Sequence, residues 1–75
     1  MLTKVQLKAG TRVAKQDLKI LKKDGCMAIT NTKKGTLFFR FENCSFLVIS
    51  NGSEIFRTDC EKALINFLIN DIYIF

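Results

Sequence analysis

The stretch Phe46-Leu47-Val48-Ile49-Ser50-Asn51-Gly52-Ser53-Glu54-Ile55-Phe56-Arg57 decides how this chain folds. Asn51 and Gly52 both tolerate positive φ, as the two central residues of a type I′ turn require, so 46–50 and 53–57 are expected to pair as a tight antiparallel hairpin. Phe46 to Ile49 is apolar at every position. A strand with one wet face would alternate, so this pattern predicts a central strand covered on both sides.

Upstream of the hairpin, Thr36 to Glu42 reads as a strand, with Leu37, Phe39 and Phe41 on one face and Phe38, Arg40 and Glu42 on the other. Asn43-Cys44-Ser45 turns it into the central strand. Cys26 to Thr30 is a further strand, joined to Thr36 by Asn31-Thr32-Lys33-Lys34-Gly35, a loop of turn residues with a glycine. Residues 12–24 are rich in helix formers, and Gly25 stands where a helix-terminating glycine belongs. At about 100° per residue, Val13, Ala14, Leu18, Ile20 and Leu21 gather on one side of this helix. Arg12, Lys15, Lys19, Lys22 and Lys23 gather on the other, which makes it amphipathic with a basic outer face. Asp17 falls inside the apolar arc without a cation at i ± 3 or i ± 4; it is expected at the rim of the core, the alternative being a pairing with a distant group. Before this helix, Leu2 to Lys8 alternates weakly, with Val5 and Leu7 on one face, and is read as a short strand ended by a turn at Ala9-Gly10-Thr11.

Downstream, Thr58-Asp59-Cys60-Glu61 has the form of a capping box opening a helix from Asp59 to about Asn70. Its apolar residues cover about two thirds of the circumference, more than the arc of roughly 100° that a helix on a sheet needs. The surplus, Ile65, Ile69 and Ile72 with the tail residues Tyr73 and Phe75, is covered by the first helix, by the tail or by a second molecule; as a surface it is the candidate apolar docking site. The expected fold is α+β: an antiparallel sheet of four or five strands with two helices, in the order β-α-β-β-β-β-α, with Ile72 to Phe75 able to add a short C-terminal strand. With no proline, repeat or low-complexity stretch, residues 1–75 read as a single domain.

The 75 residues carry a net charge of +5, unevenly spread. Residues 1–40 hold ten basic side chains against two acidic, and residues 41–75 two against five. A basic face of this kind suits nucleic acid or an acidic protein. The candidate basic site comprises Arg12, Lys15, Lys19, Lys22, Lys23, Lys33 and Lys34. Lysine-dominated patches bind phosphates in a salt-dependent, sequence-indifferent way.

Catalytic constellations are missing from the sequence. With no histidine, Ser–His and Cys–His nucleophiles are excluded. The carboxylates are scattered singly, no glycine-rich phosphate loop is present, and no metal or cofactor is expected. Cys26, Cys44 and Cys60 fit neither a zinc pattern nor a disulfide framework, and are read as buried thiols of a reducing, cytoplasmic compartment. No secretory signal or membrane-length apolar run is visible. Lys34 to Phe41 overlies the strand pattern of RNA-recognition motifs at Lys34, Gly35, Phe38 and Phe41 but departs from it at Thr36, Leu37 and Phe39. The missing aromatic at Thr36 sets that motif aside.

The sequence therefore points to a small non-catalytic binding or regulatory protein, an inhibitor or adaptor of the kind carried by phages or mobile elements. It would act through protein–protein contacts, a homodimer being one form, with no membrane and no small-molecule substrate. The alternative is non-specific nucleic-acid binding through the basic helix. A core this small, burying only about 60–65 % of the unfolded chain's surface, often gains stability by association.

Overall fold

A computed structural model describes residues 2–75. Its elements are helix α1 (Lys4–Asp24), strands β1 (Cys26–Ile29), β2 (Leu37–Glu42), β3 (Ser45–Ser50) and β4 (Ser53–Thr58), and helix α2 (Glu61–Phe67), which continues into a π-helical turn at Leu68–Ile72. The four strands form one antiparallel meander in the order β1-β2-β3-β4. The helices lie on one face of it, α1 against β1 and β2, α2 against β4. The α+β class and the four-stranded antiparallel sheet are as expected from the sequence.

The order of elements differs at the start: the chain opens with helix, not strand. Thr3 is the N-cap of α1. Its Oγ1 accepts from the Gln6 amide at 3.1 Å, and Gln6 Oε1 accepts from the Thr3 amide at 3.0 Å. This reciprocal capping box satisfies two donors that a helix start otherwise leaves unpaired, and the weak alternation of Val5 and Leu7 has no burial behind it: Val5 is 78 % exposed. The supposed turn at Gly10 lies inside the helix. Gly10 is buried because a Cβ there would stand 2.7 Å from the Phe75 ring and 3.3 Å from Ile69. The apolar arc of α1 is correspondingly narrower than expected. Gly10, Ala14, Leu18 and Leu21 are buried, while Val13 and Ile20 are exposed. Gly25 ends the helix at φ 81°, donating its amide to the Leu21 carbonyl at 2.8 Å.

The two tight turns of the meander, β2–β3 and β3–β4, use left-handed backbone. Asn51 and Gly52 have φ of 51° and 79°, and Asn43 and Cys44 have φ of 52° and 60°. A shift in register between Val48 and Ile49 leaves Ile55 as the extra residue of β4. The inward faces of the strands contribute Leu37, Phe39, Phe46 and Val48 to a core completed by Ala14, Leu18, Leu21, Leu64, Leu68, Ile69, Ile72 and Tyr73. Phe41 and Phe46, directly opposite in the register, have centroids 4.7 Å apart. Phe56 stacks on Phe67 at 4.1 Å and so ties α2 to β4.

The second helix begins two residues later than the capping-box reading placed it. Thr58 still belongs to β4, and its Oγ1 accepts from the Cys60 amide at 3.1 Å, so Cys60 is the N-cap. After Phe67 the helix widens, and the Tyr73 amide reaches the Leu68 carbonyl at 2.8 Å. Leu68, Ile69, Ile72 and Tyr73 all face inward along this turn. No C-terminal strand forms. The tail crosses α1 instead, with Phe75 against Gly10, and never meets an edge of the sheet. The three cysteines are all exposed, not buried: they fall at the outward start of β1, in the β2–β3 turn and at the N-cap of α2, positions set by the backbone rather than by packing. Among the described residues, no helix is long and apolar enough to cross a membrane.

Candidate functional site

The apolar docking face expected on the second helix is mostly not a surface. Ile69, Ile72 and Tyr73 lie in the chain's own core, because α1 packs over α2 and the π turn. Only Ile65, half-buried, and Phe75, half-exposed, remain accessible.

The basic residues do form a surface, and it is longer than the sequence reading made it. Because α1 starts at Lys4, Lys4 and Lys8 join Arg12, Lys15, Lys19, Lys22 and Lys23 on exposed positions of one helix. At 100° per residue these seven cations fall within an arc of about 100°, and at 1.5 Å per residue they run for about 28 Å. The capping box at Thr3 was the sequence signal that could have found them. Counting the chain by element, α1 holds seven basic residues and two acidic ones, Asp17 and Asp24, while the remaining five of each sign cancel. The whole net charge of +5 therefore sits on α1. Like charges at i, i+4 such as Lys4–Lys8, Lys8–Arg12 and Lys15–Lys19 destabilise a helix by about 0.2–0.5 kcal/mol each, so this stripe opposes the helix that carries it.

Lys33 and Lys34 are not part of the stripe. The Lys33 amide donates to the Ile72 carbonyl at 2.9 Å and its Nζ to the Asn70 carbonyl at 3.3 Å, which ties the β1–β2 loop to the π turn. Thr32, buried beneath the loop, donates to the Gly35 carbonyl at 2.5 Å and accepts from the Lys34 amide. Lys34 is exposed on the loop.

Between α1 and α2 lies a groove of about 310 Å³ whose floor is Leu18 and Ile65 and whose rim is Lys15, Lys19, Lys22 and Glu61. Lys22 and Glu61 form an ion pair across it. Both are about half exposed, so the pair contributes under about 1 kcal/mol. The groove brings together one residue of the expected apolar site, Ile65, with three of the expected basic site. No protein-family model, curated protein or solved structure matches the chain.

Proposed function

We propose that this is a small non-catalytic binding protein whose partner is an acidic protein segment, docked along α1 with an apolar side chain in the α1–α2 groove. The observation that carries the reading is the composition of that groove: an apolar floor, Leu18 and Ile65, inside a rim where Lys15 and Lys19 stand beside Lys22, which is paired with Glu61. An amphipathic acidic helix presents both chemistries at once, apolar anchors at i, i+4 spacing and carboxylates beside them. The cationic stripe speeds encounter with such a partner and disfavours basic competitors. An inhibitor or adaptor needs no more than this, and the absence of histidine from the sequence agrees with a non-catalytic role.

The 28 Å length of the stripe favours a second reading, non-specific nucleic-acid binding. Seven cations in one line can follow a phosphate backbone, but such a ligand has no use for Ile65. Two fluorescent probes separate the readings, an amphipathic peptide of glutamate and leucine at helical spacing and a mixed-sequence oligonucleotide. On the first reading the peptide binds, Ile65→Glu abolishes its binding, and Lys15→Glu/Lys19→Glu weakens it. If only the oligonucleotide binds, with steep loss in salt and no response to Ile65→Glu, the second reading replaces the first.

A further inference from the structure

The exposed apolar side chains of this chain are not spread evenly. Among the described residues eight large ones are exposed, and six of them, Val5, Leu7, Val13, Ile20, Ile74 and Phe75, lie on α1 or on the tail that crosses it. Only Phe38 and Ile55 stand on the sheet. At 100° per residue, Val5, Val13 and Ile20, with Ala9 and Gln16 between them, fall within an arc of about 80° and run for about 22 Å. All five are exposed. This row adjoins the cationic stripe, so the outward half of α1 is divided lengthwise into an apolar strip and a basic one. On the far side of the row, Ala9 and Val13 line a cleft of about 310 Å³ with Ile74 and Phe75 of the tail, which widens the apolar strip. The α1–α2 groove lies beyond the other border of the stripe, at Leu18.

We propose that this half of α1 seats the protein on an anionic lipid surface, with the apolar row entering the interface and the cations meeting the lipid phosphates and carboxylates. Charge complementarity calls for a polyanion. The net charge of +5 is all on α1, and six of its seven cations have no ion pair among the described residues. The like-charge pairs that oppose the free helix are relieved on such a surface. Each Lys or Arg held close to an anionic membrane strengthens binding about fivefold. The apolar row decides between polyanions. A phosphate backbone leaves Val5, Val13 and Ile20 in water. A bilayer interface takes in the apolar side of a helix to a depth of about 5–10 Å, while flanking lysines extend their ammonium groups to the headgroups. An acidic protein segment in the α1–α2 groove does not cover the row either, which lies more than about 120° round the helix from Leu18. Seating of this kind needs no spanning helix, and none of the described helices could span. The lack of a membrane-length apolar run in the sequence bears on spanning alone.

Cosedimentation with vesicles tests the proposal, one set made of equal parts of phosphatidylcholine and phosphatidylserine, the other of phosphatidylcholine alone. The wild-type chain is expected to bind the mixed vesicles and not the neutral ones. Lys8→Gln/Arg12→Gln is expected to weaken binding roughly 25-fold, and Val13→Gln/Ile20→Gln about tenfold or more. Both should keep the circular dichroism of the wild type, since all four side chains are exposed. The chain has no tryptophan, so Val5→Trp reports insertion, and its emission is expected to shift to the blue on mixed vesicles only. No binding to the mixed vesicles overturns the proposal, as does equal binding to the neutral ones. Binding that survives Val13→Gln/Ile20→Gln, or a tryptophan whose emission stays unshifted, is adsorption by charge alone, and either result overturns it. A chain that ignores vesicles but binds a mixed-sequence oligonucleotide overturns it in favour of nucleic acid. Ile65→Gln alters the groove alone and is expected to leave vesicle binding as it is, so failure here and failure of the acidic-partner reading are separate results. Loss of vesicle binding in that variant would place the contact in the groove and overturn the proposal.

Discussion

Tyr73 Oη donates a 2.5 Å hydrogen bond to Asp17 Oδ2 across 56 residues of sequence. Together with Phe75 on Gly10 it holds the C-terminal tail against α1, and it explains the acidic residue inside the helix's apolar arc. Asp17 is half-buried at the rim, as expected, and its partner there is a phenol rather than a cation. A hydrogen bond to a charged acceptor contributes about 1.5–3 kcal/mol, and the partial exposure of Asp17 places this one at the low end. In a double-mutant cycle of Asp17→Asn and Tyr73→Phe, denaturant unfolding is expected to return a coupling of about 1–2 kcal/mol. Additive single effects would show that the bond does not hold the tail.

The same bond sets a dependence on alkaline pH. Burial first, then the hydrogen bond and the charge of Asp17, raise the pKa of Tyr73 well above its ordinary 10.0. The unfolded chain loses the phenolic proton near the ordinary value while the folded chain keeps it. Above that point the unfolded state binds fewer protons, and stability falls as pH rises. The contribution is complete below about pH 10 and declines above it. Unfolding free energies measured from pH 8 to 11 should fall more steeply for the wild type than for Tyr73→Phe; equal slopes would contradict this.

Gly10 and Phe75 are expected to be coupled. Alanine is favoured over glycine inside a helix by about 1 kcal/mol, but a Cβ at position 10 meets the Phe75 ring and crowds Ile69. Gly10→Ala alone should therefore change the melting temperature little. In a Phe75→Ala background the ring is gone, and Gly10→Ala should stabilise by about 0.5–1 kcal/mol. Equal effects in both backgrounds would show that the tail does not rest on Gly10.

Cys44 holds a left-handed conformation at φ 60°, which costs a non-glycine residue about 1–2 kcal/mol. Its side chain is exposed and loses no packing on removal. Cys44→Gly should raise stability by up to about 1 kcal/mol, read from thermal or denaturant unfolding. A drop in stability would mean that the thiol makes a contact the turn depends on.

Much of the sheet was readable because it is written in adjacent residues. Asn51-Gly52, Asn43 and Gly25 announce backbone conformations that few residues adopt, and the strands between them follow from alternation. The basic face of α1 was legible over residues 12–23 from helical period alone. Its first two turns were missed because two apolar residues, Val5 and Leu7, at strand spacing outweighed the Thr3–Gln6 capping box, although neither is buried.

The sequence by itself determined the turns, the antiparallel meander and the existence of a cationic helix face, since each depends on torsional preference and period within a few residues. Only the tertiary structure decided which apolar surplus is core and which is surface. Ile69, Ile72 and Tyr73 became core because α1 and a widened helical turn close over them, and Phe38 and Ile49 stayed outside because both helices fall on one side of the sheet. Apolar burial is non-directional and rewards any cover equally; the choice of face rests on contacts between residues distant in sequence, such as Tyr73 with Asp17 and Phe75 with Gly10.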